Sequence, residues 1–110
     1  MTTVPVKDEY LEVLTALGDL EAGVDLALHR FVHEQVATRI AESRKTDSLY
    51  QARYDLDYPT FARRVGQDEA FVRQLEAQGH RMWEADLADW EFAYKGIGDW
   101  TRTLQRISLT

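Results

Sequence analysis

The sequence predicts a mainly helical, dimeric protein that starts with one short strand and two helices and continues into a helical C-terminal region. Apolar residues recur at helical spacing along most of the 110 residues. An alternating stretch at residues 2–6 precedes the first helical pattern, and all three tryptophans lie in the last third of the chain. We therefore expect two parts, a dimerisation module at residues 1–45 and a helical partner-binding region at residues 46–110.

The composition excludes several classes of function. Because it has no cysteine, the chain cannot form a disulfide, a thiolate nucleophile or a cysteine-based zinc site. Hydrophobic residues make up 45% and charged residues 29% of the chain, which is typical of a globular domain. The net charge of −6 argues against broad, nonspecific binding of nucleic acid. No apolar run reaches membrane-spanning length and no secretory signal pattern is present, so we expect a cytoplasmic protein.

A strand at residues 2–6 would be the first element. Its alternation puts Val4 and Val6 on one face and Thr3 and Pro5 on the other. Proline cannot donate a ladder hydrogen bond, so this strand must present an edge at Pro5. A single strand has no partner in its own chain, and the simplest remedy is a two-fold dimer in which two such strands pair.

Two helices should follow the strand. The first begins at Lys7 or Asp8 and ends at Gly18, since glycine is favoured just after a helix. Asp19 suits the N-cap of the second helix, whose apolar stripe over residues 20–40 has a period close to 3.6. We interpret the polar stretch 41–48 as a frayed continuation of this helix or as a solvated connection.

Further helices are predicted in the remaining chain. Asp57 or Tyr58 would cap a short helix, because Pro59 stands where a helix begins. A long helix should open at residue 67 or 68 and be interrupted at Gly79. The sequence Lys-Gly-Ile-Gly at 95–98 should break it, and Asp99 would cap a last short helix.

The order of strand, helix, glycine turn and longer helix resembles the ribbon-helix-helix family, whose dimers include repressors and antitoxins of bacterial toxin–antitoxin operons. The chain also resembles small bacterial proteins that accompany a toxin gene, most clearly at residues 58–62. The residues that carry the family resemblance are Val4, Val6, the helix 8–17, Gly18, Val24, Ala27, Leu28 and Phe31. The resemblance implies a homodimer, with an interface that holds Val4, Val6, Leu14, Val24, Leu28 and Phe31.

In that family the outward-facing ribbon residues enter the major groove of operator DNA. Here those residues would be Thr3, Pro5 and Lys7. Threonine can contact a thymine methyl or a base acceptor, whereas proline offers only apolar contact. The family also holds a phosphate at the N-terminus of the second helix, where Asp19 and Glu21 would oppose it. Operator binding and a ribbon kept for dimerisation alone are both left open.

The C-terminal third combines aromatic and acidic side chains. From residue 83 to residue 100, five acidic groups accompany one lysine, a local charge of −4. Aromatic anchors ringed by acid suit a basic partner, and many toxins of the resembled systems are ribonucleases, which need a basic surface for RNA. The spacing also fits an amphipathic helix with internal tryptophans. The candidate partner-binding residues are Trp83, Asp86, Asp89, Trp90, Tyr94 and Trp100.

Two groups of side chains are candidates for metal binding or acid–base catalysis. His29 and His33 lie one helical turn apart, but a histidine pair without a third ligand is a weak metal signal. Asp86 and Asp89 could hold a divalent ion or act as acid and base, yet no nucleophile, phosphate cradle or histidine accompanies them. We therefore expect no catalytic residue, no metal site and no cofactor.

Three hypotheses follow from the sequence. We favour an antitoxin-like protein that dimerises through its ribbon and neutralises a basic toxin through its C-terminal helices, with operator DNA as a candidate second partner of the ribbon. The alternative is a helical adaptor without DNA contact, which Pro5, Asp19 and the acidic balance favour. The third is a small metal-dependent enzyme that uses His29 and His33.

Overall fold

The computed structural model describes residues 3–108, and helices account for most of them. The chain divides into two compact units, residues 1–35 and residues 36–110, and the second helix runs through the division. We refer to residues 1–35 as the N-terminal unit and to residues 36–110 as the C-terminal unit. The elements are α1 (Asp8–Leu17), α2 (Leu20–Tyr54), α3 (Tyr58–Gln67), α4 (Glu69–Ala77) and α5 (Trp83–Ser108).

The prediction of an N-terminal strand is wrong, and with it the prediction of a ribbon-helix-helix fold. Residues 3–7 precede α1 without regular structure, and no strand occurs anywhere within residues 3–108. A strand is stabilised by ladder hydrogen bonds to a neighbouring strand, and the described chain supplies no such neighbour. Pro5 additionally lacks the N–H that a ladder needs. Thr2, the first residue of the predicted strand, lies outside the described residues.

In the N-terminal unit, α1 ends and α2 begins at two adjacent residues that the sequence singled out. Gly18 has a φ of 143°, a backbone conformation that glycine adopts without strain. The Asp19 carboxylate accepts a hydrogen bond from the Ala22 N–H at 3.1 Å, which satisfies one of the free amides at the start of α2. The predicted cap at Asp19 is confirmed.

The second helix is longer than the sequence indicated. Residues 41–48 are helical throughout, and α2 extends for 35 residues to Tyr54. Alanine, glutamate, arginine and lysine in this stretch have high helix propensity, so a polar composition does not interrupt the helix. Asp55 follows with a φ of 55°, and its N–H donates to the Gln51 carbonyl at 2.8 Å.

Carboxylates cap the two short helices of the C-terminal unit. The Asp57 side chain accepts from the Thr60 N–H at 2.9 Å, as the sequence predicted for a helix with proline in its first turn. The Asp68 side chain accepts from the Phe71 N–H at 3.1 Å and starts α4. Gly79, with a φ of 91°, lies in the turn between α4 and α5.

The predicted break at residues 95–98 is also wrong, because α5 continues through both glycines to Ser108 without a new cap at Asp99. The glycine at 96 allows close packing instead. A Cβ at Gly96 would lie 3.2 Å from Ser43 Oγ on α2, which is tighter than ordinary van der Waals contact. Tertiary contact between α2 and α5 therefore outweighs the local helix-breaking tendency of glycine.

The main core lies in the C-terminal unit and is largely aromatic. Trp90 and Phe61 are fully buried at 0% exposure, and their ring centroids lie 5.2 Å apart. Large aromatic side chains bury much apolar surface per residue, which suits a short chain. The buried members of this cluster are Tyr50, Tyr54, Phe61, Phe71, Leu75 and Trp90.

Candidate partner-binding surface

One side of helix α1 is apolar, and only part of that side is buried by the rest of the N-terminal unit. At about 100° per residue, Asp8, Glu9 and Glu12 fall on one side of the helix. The opposite side is apolar: Leu11 and Leu14 are half-buried, while Tyr10, Val13 and Leu17 are exposed. Leu17 is 79% exposed, a fraction that is unusual for a leucine on the apolar side of an amphipathic helix.

The first part of α2 repeats this pattern. Leu20 and Val24 are half-buried, and Leu14 Cδ2 lies 3.5 Å from the position that a Cβ on Gly23 would take. Further along, Leu28 and Phe31 are 58% and 60% exposed. Nine of the fourteen large exposed apolar side chains in residues 3–108 lie between residues 4 and 32. None of the residues 3–35 is buried, so the N-terminal unit leaves most of its apolar surface uncovered.

A groove of about 410 Å³ lies between the end of α1 and the beginning of α2. Its two polar lining side chains are Asp19, at the turn between the helices, and Arg30, about three helical turns further along α2. Small residues on α2 open the groove, and leucines from both helices form its sides. The lining residues are Leu14, Leu17, Gly18, Asp19, Ala22, Gly23, Leu26, Ala27 and Arg30.

The N-terminal unit also holds most of the net charge of the chain. Residues 1–35 contain two basic and seven acidic side chains, a net charge of −5, whereas residues 36–110 contain eleven basic and twelve acidic ones. Every acidic side chain of the N-terminal unit is exposed to solvent. The surface with the uncovered apolar residues is therefore strongly anionic.

The residues predicted for the dimer interface separate into two groups. Leu14 and Val24 are half-buried within the N-terminal unit, while Val4, Val6, Leu28 and Phe31 are exposed. The residues predicted to contact DNA, Thr3, Pro5 and Lys7, lie exposed in the segment before α1. Lys7 is also the residue before the helix, and its carbonyl accepts the Tyr10 and Leu11 N–H groups at 3.0 and 3.2 Å.

Three of the residues predicted to bind a partner form hydrogen bonds within the C-terminal unit. The buried Trp90 donates from Nε1 to Asp47 Oδ1 at 2.7 Å. Asp86 Oδ2 accepts from the Tyr54 hydroxyl at 2.5 Å and from Arg53 Nη1 at 2.8 Å. Asp89 Oδ2 accepts from the Tyr50 hydroxyl at 2.6 Å. These three side chains join α5 to α2.

The other three predicted partner-binding residues are half-buried or partly exposed. Trp83 is half-buried and donates from Nε1 to Glu76 Oε1 at 3.4 Å. Tyr94 stacks on Tyr58 with 4.8 Å between ring centroids, and Trp100 is 38% exposed. The structure thus brings Asp86, Asp89 and Trp90 together on the α2 side of α5, while Trp83, Tyr94 and Trp100 keep some surface.

The tyrosine–carboxylate pairs change the acidity of the tyrosines. The hydrogen bond to Asp89, followed by burial, raises the pKa of Tyr50 to about 12 from the ordinary 10.0. Burial, followed by the hydrogen bond to Asp86, raises the pKa of Tyr54 even further. The pKa rises in both cases because a phenolate beside a carboxylate would lose the hydrogen bond that the hydroxyl donates and would be repelled by the like charge.

The histidine pair does not extend into a metal site. The rings of His29 and His33 lie with centroids 4.6 Å apart. No group of three or more histidine, aspartate or glutamate side chains within residues 3–108 is placed to hold a metal ion.

Sequence reasoning missed the residues that bond to Asp86, Asp89 and Trp90. Tyr50 and Tyr54 lie one turn apart on α2, and Asp86 and Asp89 lie nearly one turn apart on α5. Matching these spacings between two helices is a signal that could have paired them. The exposure of Leu17 was also missed, because Leu17 belongs to the regular stripe of α1 that looks like core in the sequence, and Leu26 was missed because it lies off the predicted stripe of α2.

Comparisons with protein-family models, with curated proteins and with solved structures find no match to this chain. None of the helices in the described part of the chain is both long enough and apolar enough to cross a membrane.

Proposed function

We propose that this protein is an interaction protein that binds a basic partner protein through its N-terminal unit. One observation carries the proposal: exposed apolar side chains and a net charge of −5 occur together in residues 1–35. Exposed apolar surface of this kind is typical of sites that another macromolecule covers. The anionic surroundings favour a positively charged partner and speed its encounter.

The C-terminal unit has a different role in the proposal. Its carboxylates Asp86 and Asp89, which the sequence offered to a partner, are already hydrogen bonded to tyrosines of α2. Removing these bonds to bind a partner would cost the protein stability. We therefore assign this unit to the stable scaffold that carries the N-terminal unit.

An antitoxin-like role is the specific form of this proposal. A toxin that acts on RNA needs a cationic surface, and an anionic, apolar helical surface is suited to cover one. Operator binding through Thr3, Pro5 and Lys7 required a paired ribbon, so it is not part of the proposal. Self-association of the chain remains an outcome that the experiments below distinguish.

Co-expression with the product of the neighbouring gene tests the proposal. We expect the two proteins to co-purify, and we expect the double variant Glu12→Lys/Asp25→Lys to weaken the complex. Both substitutions lie on exposed positions of the N-terminal unit, away from the first turn of each helix. The matched control is Glu42→Lys/Glu76→Lys, which makes the same change in net charge at exposed positions of the C-terminal unit that also lie outside the first turn of a helix. Equal loss of binding in both double variants contradicts the proposal.

A further inference from the structure

The groove between α1 and α2 is a concave part of the exposed apolar surface of the N-terminal unit. Its lining is mainly apolar, and its volume of about 410 Å³ lies within the range of about 300–1,000 Å³ that is usual for ligand pockets. Leu17 and Leu26 are exposed on its two sides. The groove lies entirely within the N-terminal unit.

We infer that this groove takes up one face of a basic amphipathic helix of the partner, an inference that rests on the proposed function. Helices bind grooves of this kind by inserting apolar side chains at i, i+3, i+4 and i+7. Leu14, Leu17 and Leu26 would contact those side chains, and the small side chain of Ala22 leaves room for them. The lysines and arginines on the flanks of the bound helix would face the anionic surroundings.

A second copy of this chain is the competing occupant of the groove. Each N-terminal unit carries a net charge of −5, so two copies placed together would oppose each other electrostatically. A cationic helix reduces this charge instead of adding to it. Charge complementarity therefore favours the basic partner over self-association.

The test uses the full chain and a synthetic, dye-labelled peptide of about 15 residues, with leucine at helical spacing and lysine elsewhere. A second peptide keeps the leucines and replaces every lysine by glutamate. We expect fluorescence anisotropy to show binding of the leucine–lysine peptide only. Ala22→Trp, which fills the groove, should weaken this binding by about tenfold or more. Ala16→Trp adds the same bulk to an exposed position of α1 outside the groove lining and should leave binding unchanged.

A second pair of variants tests the groove independently, in case Ala22→Trp disturbs folding. Leu26→Glu removes an apolar side chain that is 52% exposed in the groove, and Leu49→Glu makes the same change at a leucine that is 53% exposed in the C-terminal unit. Only the first should weaken peptide binding. Circular dichroism of each variant checks that its helices are intact.

The outcomes separate the groove from the proposed function. If binding survives Ala22→Trp and Leu26→Glu but is lost in Glu12→Lys/Asp25→Lys, the groove assignment is overturned while the basic partner stands. If the two peptides bind equally, or neither binds, the inference of a basic helix in the groove is overturned, and the co-purification experiment decides the proposed function separately. If sedimentation shows a dimer that Ala22→Trp dissociates, a second copy occupies the groove and the inference is overturned.

Discussion

Asp86 receives two side chains of α2 on a single oxygen atom, since Tyr54 and Arg53 both donate to Oδ2. Its neighbour Asp89 accepts from Tyr50, and the side chain of Asp86 is only 13% exposed. Hydrogen bonds to a charged acceptor stabilise more than neutral ones. At the scale of single residues, α2 and α5 are therefore joined by two carboxylates that are paired with donors on α2.

The tyrosine–carboxylate pairs predict loss of stability at alkaline pH. Because the pKa of Tyr50 is raised to about 12 from 10.0 and the pKa of Tyr54 is also raised, their contribution is fully present below pH 10. It is lost as the pH rises through the raised values. Urea unfolding followed by tryptophan fluorescence between pH 8 and pH 12 measures this loss.

The matched variants for that experiment are Tyr50→Phe/Tyr54→Phe and Tyr10→Phe. The double variant should be less stable at neutral pH by about 1–3 kcal/mol and should lose less stability between neutral and alkaline pH. Tyr10 lies exposed on α1, so Tyr10→Phe should follow the wild-type profile. An unchanged alkaline loss in the double variant would refute the assignment.

Asp55 gives a second prediction at the residue scale. Its φ of 55° is strained for most side chains, and its negative charge lies at the C-terminal end of α2, where the helix dipole opposes it. Asp55→Asn keeps a side chain that tolerates this backbone and removes the charge, so it should raise the free energy of unfolding by about 0.3–1 kcal/mol. Asp55→Val should lower it, because a branched side chain disfavours positive φ. Thermal unfolding measures the Tm of both variants against the wild-type protein. Equal Tm shifts for Asp55→Asn and Asp55→Val would contradict this prediction.

At the scale of helices, the two glycines of α5 have different roles. A Cβ at Gly96 would lie 3.2 Å from Ser43 Oγ, whereas a Cβ at Gly98 would meet only the flexible end of Arg102 at 3.4 Å. Alanine stabilises a helix interior by about 1 kcal/mol relative to glycine. Substitution by alanine should therefore stabilise α5 at Gly98, whereas at Gly96 the close contact with Ser43 opposes this stabilisation.

We therefore predict that Gly98→Ala raises the free energy of unfolding by about 0.5–1 kcal/mol and that Gly96→Ala raises it less or lowers it. Chemical denaturation measures both. Adding Ser43→Ala to Gly96→Ala removes the crowded hydroxyl, so the two substitutions should be more favourable together than the sum of the single effects. Strict additivity would show that Ser43 does not restrict this position.

These helices show which features a sequence reveals. The caps at Asp19, Asp57 and Asp68 were predictable because a cap depends on residues three or four positions away. The uninterrupted course of α5 through Gly96 was not, because contacts with residues far away in the chain outweigh the local preference of glycine. The same limit applies to the candidate site. The apolar stripe of α1 was visible, but the sequence did not indicate that Leu17 would remain exposed.

At the scale of the molecule, the two units differ in how much surface they bury. The aromatic cluster of the C-terminal unit encloses Phe61 and Trp90 completely, while no residue between 3 and 35 is buried. Regions with few buried apolar contacts open at a lower free energy than the core. Interaction surfaces are often found in such regions, because a partner supplies the contacts that the free protein lacks.

Hydrogen exchange of the full chain tests this difference. We expect amides of α1 to exchange faster than amides of α2 near Tyr50 and Tyr54 and of α5 near Trp90, because opening the N-terminal unit exposes little buried surface. Adding the leucine–lysine peptide should slow exchange in α1 and in the first turns of α2 and leave the aromatic core unchanged. The leucine–glutamate peptide is the control and should alter neither region. Equal protection of both units in the free protein would contradict the prediction, because the N-terminal unit would then be as stable as the core without any partner.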